Sequence, residues 1–255
     1  MRAPLGFAAG LVLLAGAAVA VAGCQSTQAT SAEREAEGQT LLKSEKAVKV
    51  TKQNPEMKIL DTKLLTDKNG SAVVVEVKNT GDKGYVNVPI SIDVLDAKGK
   101  SVFKNNTPGL VPSLTSIPLI HAGETTVWVN DQILAKGEPD SAKAKVGFSK
   151  VEIPEPEPEI KLTQPKLAHD SFSGIEADGA LELISGPDQA DMTVFTVARR
   201  DGEIVAAGRA GVKRLLASSK KPTDFTTFFI GTPEPGDELT STAPPVIFTE
   251  GQNQK

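Results

Sequence analysis

After residue 57 the chain alternates apolar and polar positions over short stretches. In "SAVVVEVKN" Val73, Val75 and Val77 fall on one face, and in "YVNVPISIDVL" Val86, Val88, Ile90, Ile92 and Val94 do the same. "TTVWVND" alternates around Val127 and Val129, and "KVGFSKV" around Val146 and Phe148. A period of two marks a strand with one packed and one wet face. Turn signals separate the stretches: Asn69-Gly70, "NTGDKG" at 79–84, "DAKGK" at 96–100 and "HAGE" at 121–124. Residues 57–153 therefore read as one β-sandwich, a fold that needs about 100 residues.

"IPEPEPEIK" follows. Alternating Pro and Glu suits neither helix nor central strand, so 154–160 reads as an extended linker. Glu155, Glu157 and Glu159 do not form a calcium site on such a backbone, because a three-residue turn points successive carboxylates in different directions. Beyond the linker "KLAHD" at 166–170 echoes "KLLTD" at 63–67, at the same separation as Gly202 from Gly99. "LELISGPDQA" corresponds loosely to "VEVKNTGDKG". Residues 161–231 thus read as a second sandwich of similar topology. The stretch 232–255 reads as a loose tail in which "PPVIF" is available as an edge strand.

The N-terminal 56 residues follow other rules. Residues 1–23 carry Arg2, then an apolar run, then small residues. That is the plan of a secretory signal helix, with charge held on the cytoplasmic side. The chain's single cysteine, Cys24, closes the run. Val21-Ala22-Gly23-Cys24 resembles the lipobox of bacterial lipoproteins. The resemblance implies cleavage between Gly23 and Cys24, diacylglycerol on the thiol and a fatty acyl group on the new terminus. Two or three acyl chains give lasting attachment where one is marginal. An uncleaved transmembrane anchor is the alternative, and both place the body outside the cytoplasm. Residues 24–56 are polar and read as a disordered tether spanning roughly 30 Å.

In "VVVEVKNTGDKGYVNVPISIDVLDAKGKSV" and "PLIHAGETTVWV" the order of strands and turns resembles the FxLYD and related immunoglobulin-like modules of envelope lipoproteins. The Phe-x-Leu-Tyr-Asp stretch itself is replaced by "SIDVLDAKG". The resemblance implies an all-β chain of two tandem immunoglobulin-like β-sandwich domains with no enzymatic activity.

Composition narrows the chemistry. Aromatic residues are 4% of the chain, so Val, Ile, Leu and Ala must build the core. A net charge of −4 argues against a nucleic-acid partner. The basic run "ARRDGEIVAAGRAGVKR" reads as a solvated strand face because its charges alternate with apolar residues. One cysteine excludes an internal disulfide, and neither His121 nor His169 has zinc spacing, so no metal or further cofactor is expected. Gly99-Lys100-Ser101 ends like a P-loop, but Val94 stands where the motif needs glycine. No Gly-x-Ser-x-Gly elbow occurs.

With Val127 and Val129 toward the core, pleat geometry puts Trp128 on the opposite face. Cross-strand packing against Tyr85 is the plain expectation there. A contact to an envelope protein or polymer through Trp128 and Tyr85 is the functional one. The expected function is binding or structural support at the cell envelope, membrane-attached through the lipid. The alternatives are an extracytoplasmic hydrolase with a site built from scattered residues, or a solute-binding lipoprotein.

Overall fold

The alternating stretches form strands, and every sheet is antiparallel. The structure, a computed structural model, describes residues 47–170, 174–219 and 221–247. The expected signal segment 1–23, the Gly23–Cys24 junction, the expected tether up to residue 46 and the end of the tail lie outside the described residues. The last residues of the expected disordered tether are instead docked, with Asn54 buried and its N–H donating to the Val146 carbonyl at 2.8 Å. The described residues contain no α-helix.

The first half holds β1 (Met57–Asp67), β2 (Gly70–Asn79), β3 (Tyr85–Leu95), β4 (Ser101–Lys104), β5 (Ser116–Ile120), β6 (Thr125–Asn130) and β7 (Ser141–Val146). A 3-10 turn, Pro112–Leu114, precedes β5. The second half holds β8 (Glu159–Leu162), β9 (Lys166–Asp170), β10 (Gly174–Ser185), β11 (Gln189–Arg200), β12 (Glu203–Leu215), β13 (Thr223–Phe228), β14 (Ile230–Gly231) and β15 (Glu238–Thr242). Four sheets result. In sheet I, β3 pairs with β4, β5 and β7, and sheet II runs β1-β2-β6. Sheet III runs β14-β12-β11-β15, and in sheet IV β10 pairs with β13, β8 and β9.

The repeat seen in the sequence is a repeat of pairing. Hairpin β1-β2 with β6 on the far edge of β2 corresponds to β9-β10 with β13. Hairpin β3-β4 with β7 added to β3 corresponds to β11-β12 with β15 added to β11. Gly99 and Gly202 occupy equivalent turns and both have positive φ, 76° and 84°, a conformation that glycine adopts without a Cβ penalty. Gly99-Lys100-Ser101 is therefore part of a hairpin turn, with Asp96 Oδ1 accepting the N–H of Lys98 and of Lys100.

Sheet I has the two-faced character its alternation predicts: Val86, Val88, Ile90, Ile92 and Val94 are buried between half-buried neighbours. Sheet II is covered on both faces. In β2, Ser71 through Val75 are all buried, because one face meets sheet I and the other meets sheet III. One core accordingly takes Val73, Val75 and Trp128 together with Phe195, Val197, Ile204, Ala207 and Ile230 of the second half. Sheets III and IV enclose a second core of Leu181, Met192, Val194, Val212, Leu215 and Phe225.

Two further features differ from the sequence reading. The tail holds β15, which extends sheet III along β11 from Phe195 to Arg199. "PPVIF" is not a strand as far as Ile247, since Pro244 and Pro245 lack the N–H a ladder needs. In the Pro-Glu segment, Pro158 is buried and Glu157 half-buried. A Cβ on Gly186 would lie 2.9 Å from Pro158, so the segment is packed against the β10–β11 turn.

Asn105 completes sheet I. Between the part of β3 paired with β5 and the part paired with β4, its Oδ1 accepts the N–H of Ile92 at 2.8 Å. Its Nδ2 donates to the carbonyls of Ile90 and Leu114 at 3.0 and 2.8 Å. Asn105 has no exposed surface. Asn105→Ala strands these buried groups, at about 1–3 kcal/mol each before water or relaxation compensates. A loss of about 3 kcal/mol in urea unfolding is the expected result, and a change within experimental error would contradict the strand-completing role.

Candidate functional site

A cleft lies along the β11–β12 hairpin. Thr193 pairs with Gly211 in that hairpin, and Asp191 and Lys213 lie further along it. Opposite stand Asn87 of β3, Val111 and Pro112 at the 3-10 turn, and Ser116 and Pro118 of β5. Pro244 to Ile247 close a third side. The cleft encloses about 710 Å³, within the range of small-molecule and peptide sites.

Arg209 is set into its floor. Its backbone pairs with Phe195, a residue on the face of sheet III turned toward sheet II. Nε donates to Asp131 Oδ1 at 2.8 Å, the Arg209 backbone N–H donates to Asp131 Oδ2 at 3.1 Å, and Nη1 donates to Ser113 Oγ at 3.1 Å. Asp131 follows β6, so this ion pair joins the halves. The Arg209 side chain is only 8% exposed and that of Asp131 19%. Arg199 makes a comparable bridge to Glu76 of β2, and the Gly231 N–H donates to Asp67 at 3.0 Å. Arg200 is held by Asp237 and Glu234 within the second half.

These pairs correct the reading of the basic run as a solvated face. Arg199, Arg200 and Arg209 are each committed to carboxylates, and Arg209 is nearly buried. Their partners lie far away in the chain, so no local pattern announces them.

Trp128 requires a second correction. It pairs with Val75, while Val127 pairs with Glu76 and Val129 with Val74. Directly paired residues share a face. Trp128 therefore points into the first sandwich with Val75, and the valines on either side of it turn toward the second half. It has no exposed surface and cannot serve as an exposed partner contact. Its Nε1 donates to the carbonyl of Ser113 at 2.8 Å, bracing from behind the turn whose hydroxyl meets Arg209. Tyr85 is half-buried against the same core, at the end of β3 opposite Ile120.

The structure does not bring the histidines together. His121 lies in the β5–β6 turn beside Glu124 and Glu157, whereas His169 is exposed on β9 of sheet IV. Glu155 and Glu159 are exposed and do not join Glu157 in a cluster. Among the described residues no group of three His, Cys, Asp or Glu side chains is arranged to hold a metal ion. No helix among them is long and apolar enough to cross a membrane.

What the arrangement offers chemically is shape and hydrogen bonding. Prolines and aliphatic side chains line the cleft, and the charges of Arg209 and Lys213 are balanced by Asp131 and Asp191. No family model matches the chain, and no curated protein or solved structure matches it.

Proposed function

We propose that this chain is a lipid-anchored protein of the bacterial cell envelope, extracytoplasmic, whose β-sandwich body acts by binding rather than catalysis. The observation that carries the reading is the placement of the only cysteine at position 24, directly behind an apolar run and two small residues. Acyl chains on Cys24 would hold the protein at the membrane, and the polar stretch ahead of Gln53, whose side chain already accepts the Val146 N–H on the body, would set the body off from it. The immunoglobulin-like order of the strands, repeated in both halves, supports a modular binding role of the FxLYD type. The cleft beside Arg209 is the part of the body best shaped to receive an envelope protein or polymer segment.

Metabolic labelling with a fatty-acid analogue tests the anchor. Wild type incorporates label and stays with the membrane fraction. Cys24→Ser loses the label and leaves that fraction or retains its signal segment. A Cys24→Ser protein that is processed and retained like wild type would defeat the reading.

A further inference from the structure

His121 presents each ring nitrogen to a different carboxylate. Nδ1 lies 2.9 Å from Glu124 Oε2, and Nε2 lies 2.9 Å from Glu157 Oε2. An ionised carboxylate only accepts hydrogen bonds, and neutral imidazole carries a single N–H. Both contacts are hydrogen bonds only when the ring is an imidazolium. Glu124 belongs to the same turn, and its Oε2 also accepts the His121 backbone N–H at 2.6 Å. Glu157 belongs to the Pro-Glu segment between the halves.

We propose that His121 is a protonation-dependent clasp that holds the Pro-Glu segment against the β5–β6 turn. Three pieces of chain converge there. Asn79 Nδ2 donates to the carbonyls of Lys83 and His121, tying the 80–84 turn to the histidine. A Cβ on Gly84 would lie 3.2 Å from His121 Cα and 2.5 Å from Ile153 Cδ1, so the segment entering the Pro-Glu run is packed just as closely. The neighbouring charges are Asp82 and Lys83 on that turn and Glu152 and Glu155 on the entering segment. Lys83 is paired with Glu152 at 2.7 Å. Among the described residues His121 is the one cation that Glu157 contacts.

Partial burial of the ring disfavours its charge, but the hydrogen bonds and charges of Glu157 and Glu124 outweigh that, and the pKa lies above the ordinary 6.5. A raised folded-state value means that the clasp's stabilisation is complete below pH 6.5 and is lost as pH rises through the folded pKa. The segment is therefore held in mild acid, where the ring is charged and the carboxylates are still ionised, and loosens in alkali.

The test follows His121 by NMR in the full-length protein in detergent, with His169→Gln to assign the two histidines. In parallel, hydroxyl-radical footprinting reads the exposure of Pro158, which is buried while the segment is held. The His121 midpoint should lie above 6.5, and footprinting of Pro158 should rise along the same curve. In Glu157→Ala, which removes the acceptor of the Nε2 contact altogether, the midpoint should fall toward 6.5 and Pro158 should be reactive even in mild acid. A His121 midpoint at or below 6.5, or proline reactivity unchanged across its titration, overturns the proposal.

Discussion

Trp128→Ala lowers the unfolding free energy by about 3–5 kcal/mol, the range for removing a large buried aromatic side chain. The indole has no exposed surface and packs among Val73, Val75 and other residues of the core shared by both halves. Aromatic residues are too scarce for another ring to fill the space, so the cavity closes only partially. The variant also frees the carbonyl of Ser113 and with it the 3-10 turn on the cleft wall. Trp128→Phe separates these effects, because it keeps most of the ring volume and gives up a hydrogen bond worth about 1 kcal/mol. Urea unfolding with an unchanged slope reads both values. If Trp128→Ala costs less than about 1 kcal/mol, the indole is not the core element described here.

The burial of Trp128 shows where sequence reading stops. Period-two alternation locates strands well, and β2, β3 and β6 fall on the stretches it marks. Alternation also assigns faces correctly when one face is wet, as in β3. In β6 it separates Trp128 from Val127 and Val129 but does not tell which face is covered, because sheet II is buried on both sides and the apolar-polar contrast vanishes. The continuous run Ala72–Val75 in β2 already carries the mark of a doubly covered strand. Taking it beside "TTVWVN" would have left the direction of Trp128 open.

The cleft was less legible than the fold for a related reason. Its floor pairs Arg209 with Asp131, and its walls come from β3, β5, the β11–β12 hairpin and the chain after β15. Nothing local distinguishes Arg209 from Lys213, although the first is nearly buried and the second exposed. The difference arises only when two sandwiches stack through sheets II and III. Repetition in the sequence indicates two similar units but carries no information about how their faces meet. The apolar residues on both faces of β11, Met192 and Val194 on one and Phe195 and Val197 on the other, are the local trace of that stacking.

Asp131→Ala tests the junction directly, with an expected loss of about 3 kcal/mol, the lower end for breaking a buried ion pair. The lower end applies because Asp131 retains 19% exposure and the cleft admits water to it. Truncation leaves the guanidinium with the Ser113 hydroxyl and the solvent that reaches the cleft. Asp131→Asn keeps an acceptor for Nε and should lose less. Replacing both partners by apolar residues, Asp131→Leu with Arg209→Met, removes the unpaired charge and should recover much of the stability. The shared core further requires that Asp131→Ala move one transition comprising both halves, because unfolding either half uncovers Val74 and Val129 or Phe195 and Val197. Calorimetry distinguishes the outcomes. Two transitions, with only the first half's shifted or neither shifted, would mean that the sandwiches unfold independently and that the Arg209–Asp131 pair does not couple them.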